Sequence, residues 1–118
     1  MKILVLPLIL CLATSCSKHQ ACDFHVTNHQ ADSGLAQKYQ IAIERQLLDQ
    51  SVAGGSIITA HVLSAKFSQP RIQAGHSEVQ YAVERARSST PMQQHCTGST
   101  EDCSKVIVMA AMAECKIN

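Results

Sequence analysis

The N-terminal segment decides how much of this chain is available to fold. A basic start at residues 1–2 precedes an apolar run over residues 3–12, and the small residues Ala13 and Ser15 follow. One basic residue, roughly ten apolar residues and a small-residue cleavage site are typical of a secretory signal peptide. The apolar run is also too short for a membrane-spanning helix. We therefore expect cleavage after Ser15, which leaves residues 16–118 as the mature protein.

Cys16 directly follows the small residues of this segment. The stretch Leu12–Cys16 resembles the lipobox of bacterial lipoproteins, in which the cysteine thiol receives a diacylglyceryl group and becomes the mature N-terminus. The resemblance implies that acyl chains on Cys16 attach the protein to a membrane. Ser17 is not the Asp that retains many lipoproteins in the inner membrane, which implies the outer membrane, facing the periplasm. The alternative is ordinary signal-peptide cleavage at the same bond, which would leave Cys16 as a plain thiol.

The charge balance of the mature chain is neutral. The ten Lys and Arg residues include Lys2, so nine basic side chains remain against nine acidic ones once the signal is removed. Neutrality gives no reason to expect nucleic acid or an anionic surface as a partner.

The cysteines are expected to stabilise a thin hydrophobic core. The chain has two Phe, two Tyr and no Trp, and a small core of aliphatic residues benefits from covalent cross-links. Cys11 leaves with the signal and Cys16 carries the lipid, so four cysteines remain: Cys22, Cys96, Cys103 and Cys115. In an oxidising compartment four thiols predict two disulfides, with three possible pairings. We favour Cys96–Cys103, which closes a short loop, and Cys22–Cys115, which ties the N-terminal segment to the C-terminal one.

The mature chain divides into a polar, histidine-rich tether over residues 16–31 and a small domain over residues 32–118. Asp32 or Ser33 is a suitable helix N-cap, and the predicted helix ends near Gln50, before the helix-breaking Gly54 and Gly55. Apolar residues at helical spacing form its buried stripe: Leu35, Ala36, Tyr39, Ala42, Ile43, Leu47 and Leu48.

The remainder of the domain mixes strand and helix signals. Alternation and β-branched residues predict a strand over Ser56–Leu63. A second short strand is expected around 67–74, at a sheet edge because it contains Pro70. A capping box at Ser77–Gln80 predicts a second helix that stops before Pro91.

The C-terminal part begins with a polar loop over residues 92–105 and then becomes ambiguous. Val106, Ile107 and Val108 favour a strand, whereas residues 109–114 would suit a helix. We predict a strand over 105–117 because two short strands need a third to make a stable sheet. The expected fold is therefore α+β, a small antiparallel three-stranded sheet packed against two helices.

This order of elements resembles the C-terminal domain of TolA, and more distantly that of TonB. The resemblance covers residues 35–91: Tyr39–Asp49 is similar to the family's first helix, Val52–Gly55 to its turn into the first strand, and Val79–Pro91 to its second helix. The chain departs from the family at Ser64–Lys66, where an Asp-Gly hairpin is usual.

The resemblance implies a protein-binding module of cell-envelope integrity and import systems. That fold engages partners by adding a strand at a sheet edge, and TolA-type domains contact TolB and are bound by phage coat proteins and colicins. On the predicted C-terminal strand this places the partner-binding edge at Val106, Val108 and Ala110.

Catalytic and metal-binding patterns are weak. No G-x-S-x-G, H-E-x-x-H or glycine-rich phosphate loop is present, so we expect no catalytic residues and no cofactor. His61 is expected to be a half-exposed sheet residue, and Glu101-Asp102 a solvated acidic pair. The most metal-like spacing, a minor alternative to no metal site, joins His19, Cys22, His25 and His29.

Two functions are consistent with these predictions. The first is an adaptor of the Tol/Ton type that binds periplasmic partners. The second is a small disulfide-linked lipoprotein with an immunity, inhibitor or entry-exclusion role. A strand over 105–117 would favour the first, and a helix there the second.

Overall fold

The described part of the chain forms one four-stranded mixed sheet with two helices on one face. The computed structural model describes residues 21–67, 76–86 and 92–116. Its elements, in chain order, are β1 (Cys22–Asn28), α1 (Gly34–Leu48), β2 (Ser56–Phe67), β3 (His76–Arg85), β4 (Gln94–Ser99) and α2 (Thr100–Lys116). The predicted α+β class is confirmed, but the sheet is neither three-stranded nor wholly antiparallel.

The sheet order is β1-β2-β3-β4, with β1 parallel to β2 and the other pairs antiparallel. A parallel pair needs a crossover connection, which α1 supplies between β1 and β2. Residues 22–28, expected to lie in an irregular tether, are therefore part of the sheet. The alternating burial of Cys22 and Phe24 in β1 shows why: their side chains enter the core, while the polar residues between them face outward.

Helix α1 follows the sequence prediction closely. Ser33 is its N-cap, and the Ser33 hydroxyl accepts a hydrogen bond from the Ala36 amide at 3.3 Å. The buried face contains five of the seven predicted apolar residues: Leu35, Ala36, Tyr39, Ile43 and Leu47. Leu48, predicted to be buried with them, is half exposed because it lies on the outer face of the last turn.

Strand β2 confirms the predicted alternation and extends further than expected. Ile58, Ala60 and Val62 are fully buried against the helices. The register shifts between Val62 and Ser64, and this bulge moves the buried position to Ala65. β2 therefore continues to Phe67, where a second strand was expected to begin; the rest of that predicted strand, including Pro70, lies outside the described residues.

The predicted second helix is wrong, because residues 76–85 form β3. The capping-box serine, Ser77, is not a cap but a fully buried strand residue. Val79 and Tyr81 are buried beside it, and Glu78 and Gln80 alternate with them on the other face. The sequence of this segment is compatible with a helix and with a strand. Pairing with β2 on one side and with β4 on the other stabilises the strand. The TolA-like resemblance assigned a second helix to this segment, and that part of the resemblance does not agree with the structure.

A buried polar contact links α1 to β3. The Tyr39 hydroxyl and the Ser77 hydroxyl are 2.5 Å apart, and both residues are fully buried. The Ser77 hydroxyl also lies 3.4 Å from the Gly98 carbonyl in β4 and can donate to it. This short chain of hydrogen bonds satisfies the tyrosine hydroxyl inside an otherwise apolar core.

The predictions for residues 92–117 are also corrected. Part of the expected loop forms β4, and the expected C-terminal strand lies within α2. The buried residues of α2 recur at helical spacing: Cys103, Ser104, Ile107, Val108, Ala111 and Cys115. Because this spacing buries one side of the helix against the sheet, residues 106–108 are helical despite their β-branched side chains.

Candidate functional site

Two surfaces of the sheet are candidates for function: the face opposite the helices and the outer edge of β4. The face opposite the helices, which we call the open face, is polar. Five of the six histidines lie on it: His25, His29, His61, His76 and His95. Four of them are strand residues whose alternation turns the side chain away from the core, and His29 directly follows β1.

The tightest cluster on the open face is centred on His61 in β2. Its Nδ1 atom lies 2.7 Å from the Thr27 hydroxyl and 3.0 Å from His29 Nε2. Its Nε2 atom lies 2.7 Å from a carboxylate oxygen of Glu84 in β3. We call Thr27, His29, His61 and Glu84 the His61 cluster. Three adjacent strands position it, with Thr27 directly opposite His61 in the β1–β2 register.

Two further histidines on the open face have looser carboxylate neighbours. His25 Nε2 lies 3.5 Å from Asp23, and His95 Nε2 lies 3.8 Å from Glu78. Both side chains are more than half exposed, whereas the His61 side chain is only 18% exposed. Of these three histidines, His61 is therefore the one that has close partners at both ring nitrogens.

The sequence could not identify the His61 cluster. His61 was expected to be a half-exposed sheet residue and is indeed partly buried on a strand. Its partners Thr27 and Glu84 come from segments predicted to be a tether and a helix. Only the register across β1, β2 and β3 brings these residues together.

The predicted metal-ligand set is not assembled. Cys22 is bonded to Cys115 and lies on the buried side of β1, so it offers no thiolate. His25 lies on the opposite face of the same strand, and His19 falls outside the described residues. Among the described residues, no group of three or more His, Cys, Asp or Glu side chains is arranged to hold a metal ion.

Both predicted disulfides are present. Cys22 is bonded to Cys115, with Cα atoms 6.1 Å apart, and Cys96 to Cys103, with Cα atoms 5.8 Å apart. The first joins β1 to the last turn of α2, and the second joins β4 to the first turns of α2. Together they fasten both ends of α2 to the sheet.

The predicted partner-binding edge is wrong. Val106, Val108 and Ala110 lie on α2, where the helix uses their backbone groups internally. Val108 is buried, Ala110 is partly buried against the core and Val106 is 42% exposed. These residues therefore present no strand edge. Glu101 and Asp102, predicted to lie in a loop, occupy the first turn of the same helix, where acidic residues complement its dipole.

The true edges of the sheet are β1 and β4, and they differ in access. On β1, the loop after α1 takes up outward groups: the Phe24 amide donates to the Ser51 hydroxyl at 3.0 Å, and the Cys22 carbonyl accepts from the Val52 amide at 2.8 Å. On β4, none of the described residues pairs with the outer side. Of the two edges, β4 is therefore the one whose outer side no described residue covers.

The alternation of backbone groups identifies which β4 residues face outward. The Ala86 amide donates to Ile57 at 2.9 Å, so even-numbered β3 residues point toward β2 and odd-numbered ones toward β4. The β4 partners of those odd-numbered residues are Gln94, Cys96 and Gly98. The N–H and C=O groups of His95 and Thr97 consequently point away from the sheet, and both side chains are exposed.

Comparison with known proteins gives little guidance on function. No protein-family model matches the chain, and no curated protein matches it in sequence. Among solved structures, the chain is similar to a PelC dodecamer from Paraburkholderia phytofirmans, with a TM-score of 0.44 and 6% identity over 85% of this chain and 92% of that one. Any function must therefore be argued from the residues of this chain.

The predicted signal peptide and the lipidation site at Cys16 lie outside the described residues. None of the described helices is long and apolar enough to cross a membrane.

Proposed function

We propose that this chain is a lipid-anchored binding module of the cell envelope, which takes an extended segment of a partner protein onto the outer edge of β4. The observation that carries the proposal is the pair of outward-facing backbone units at His95 and Thr97. Unpaired edge groups are a template for another strand, and main-chain hydrogen bonds supply the affinity in such complexes.

The disulfide between Cys96 and Cys103 supports this use of β4. It fixes the strand to α2 directly behind the edge, so that the edge is held in an extended conformation before a partner arrives. A pre-ordered edge loses less conformational freedom on binding, which favours affinity. The side chains of His95 and Thr97 would then contact alternate side chains of the added strand.

Location completes the proposal. A lipid on Cys16 would hold the domain at a membrane, on the periplasmic side of the outer membrane if Ser17 acts as expected. Intact mass of the purified protein should show loss of residues 1–15 and the added mass of acyl chains. An unmodified Cys16 thiol would contradict the anchor.

The partner is a protein by this argument, and no nucleic acid is expected. TolB and phage or colicin domains remain predictions that rest on the TolA-like resemblance alone. The helix at Thr100–Lys116 favours the second candidate function, a small immunity, inhibitor or entry-exclusion lipoprotein, because the adaptor prediction relied on a strand there. Protection of host cells from an envelope-targeting toxin, phage or plasmid, lost in a Cys16→Ser variant, would support that function over the adaptor.

Proline at position 97 tests the edge directly. Thr97→Pro removes the outward N–H that an added strand would use, whereas the fold loses no internal hydrogen bond from it. Thr97→Ala is the matched control, since it removes the side chain and keeps the N–H. Envelope proteins captured by the wild-type chain and by Thr97→Ala should be missing from Thr97→Pro, with unchanged circular dichroism in all three. Equal capture by the proline variant would refute strand addition at β4.

A further inference from the structure

Three potential ligand atoms converge in the His61 cluster. The Thr27 hydroxyl oxygen, His29 Nε2 and His61 Nδ1 form a small triangle with sides of 2.7, 3.0 and 3.4 Å. Thr27 and His29 are exposed on the open face, so solvent and small ions reach this triangle freely.

The contact with Glu84 fixes which nitrogen of His61 is free to bind a ligand. Glu84, when ionised, only accepts hydrogen bonds, so His61 Nε2 carries the proton of their 2.7 Å contact. In a neutral ring His61 Nδ1 then has one lone pair. That lone pair can accept the Thr27 hydroxyl proton at 2.7 Å, and the Thr27 oxygen can in turn accept from His29 Nε2 at 3.4 Å. A cation in the triangle would instead take a lone pair from each of the three atoms, with the proton of the His29 ring on Nδ1 and the Thr27 proton turned to solvent.

The dimensions of the triangle suit a transition metal. With metal–nitrogen bonds of about 2.1 Å, two adjacent ligands of an octahedral ion lie about 3.0 Å apart, and two ligands of a tetrahedral ion about 3.4 Å apart. The observed sides span that range. Metal-ligating histidines also typically donate their other ring N–H to a carboxylate, which fixes the tautomer, and Glu84 occupies that position behind His61.

We infer that the His61 cluster binds a divalent first-row transition-metal ion of the imidazole-preferring class, Cu²⁺ most tightly and Zn²⁺ or Ni²⁺ less so. His29 Nε2 and His61 Nδ1 are its protein nitrogen ligands. The Thr27 hydroxyl takes a third position, solvent fills the rest, and Glu84 orients His61. The site departs from the sequence-based expectation of no metal, and its histidines come from the turn after β1 and from β2 rather than from one short spacing.

This metal site is independent of the proposed protein-binding edge. The cluster lies on β1, β2 and β3, whereas the edge belongs to β4. Failure of partner capture at β4 would leave the metal site standing, and the reverse also holds.

Titration of the full-length protein with Cu²⁺ tests the site, using detergent-purified material that carries no histidine tag. Calorimetry should show that His29→Ala and His61→Ala each weaken Cu²⁺ binding at least tenfold. Glu84→Gln should weaken binding about tenfold or more, as removal of an orienting carboxylate does. Electron paramagnetic resonance should show two imidazole nitrogens on the copper in the wild type and one in His29→Ala.

His95→Ala is the matched control. His95 also lies on the open face near a carboxylate and a threonine, at 3.8 Å from Glu78 and 3.3 Å from Thr97, but has no second imidazole in this contact set. Its loss should leave Cu²⁺ affinity within twofold of the wild type. His29 is exposed, so its variant tests the site even if His61→Ala unfolds. An affinity in His29→Ala within twofold of the wild type, or an equal loss in His95→Ala, would overturn the assignment.

Discussion

The two disulfides make a quantitative prediction about stability, because they close loops of very different length. Cys22–Cys115 spans a sequence separation of 93 residues and Cys96–Cys103 a separation of seven. In the chain-entropy account a cross-link stabilises the protein by restricting its unfolded state, and the effect grows with the logarithm of loop length. That relation gives about 4.6 kcal/mol for the long loop and about 2.4 kcal/mol for the short one.

The comparison is well matched in the folded state. Cys22, Cys103 and Cys115 are buried and Cys96 is partly buried, so replacing either pair by alanine removes two sulfur atoms from similar surroundings. The difference between the two double variants should therefore come mainly from the unfolded chain. We expect Cys22→Ala/Cys115→Ala to be less stable than Cys96→Ala/Cys103→Ala by about 2 kcal/mol.

Urea unfolding followed by far-ultraviolet circular dichroism measures this difference. For a domain of this size, 2 kcal/mol corresponds to a difference in Tm of about 10 °C. The long-loop variant should also show the larger increase in m-value, because its unfolded state is released from a cross-link between its two ends. Equal stability of the two double variants, or a larger loss in the short-loop one, would refute the entropic argument and point to local contacts around Cys96 and Cys103.

Further predictions concern the packing of the core. Gly55→Ala should lower the free energy of unfolding by about 1–3 kcal/mol, because an added Cβ would lie 2.8 Å from the Cys22 amide nitrogen and closer still to the Ala21 carbonyl. Gly34→Ala is the control. The carbon added at Gly34 would meet no described atom within 4 Å, so this variant should show no such loss. Ser77→Ala should cost about 1–3 kcal/mol, because it takes away the hydrogen-bond partner of the buried Tyr39 hydroxyl. Ser104→Ala should instead be neutral or stabilising by up to about 1 kcal/mol, because the buried Ser104 hydroxyl in α2 has no hydrogen-bond partner among the residues that the structure describes. Urea unfolding of the four variants checks these values, and a larger loss in Ser104→Ala than in Ser77→Ala would contradict the assignment of the hydrogen bonds.

Local sequence signals were sufficient where a segment allows only one regular structure. Ser33 and the apolar spacing of Ala36, Tyr39 and Ile43 predicted α1, since a cap and a helical stripe coincide there. The alternation of Ile58, Ala60 and Val62 with their neighbours, in a segment rich in β-branched residues, predicted the first part of β2. The number of cysteines left after the signal predicted two disulfides, and loop length suggested which cysteines pair.

The tertiary structure decided between helix and strand in the segments whose sequences are compatible with both. Ser77–Arg85 has both a capping box and, in its first half, the alternation of polar residues with Val79 and Tyr81, and its pairing between β2 and β4 makes it a strand. Val106–Val108 has high strand propensity, yet the spacing of Cys103, Ile107 and Ala111 buries a helical stripe.

Both candidate sites exist only because of the strands and the register that the tertiary structure established. The His61 cluster joins residues 27, 29, 61 and 84, and the accessible edge exists only because β4 is last in the strand order. The sequence by itself determined the number of cross-links, the first helix and the core of β2, because those depend on local pattern and residue count. Strand register and order, which arise from the burial of distant segments against one another, were decided only by the tertiary structure.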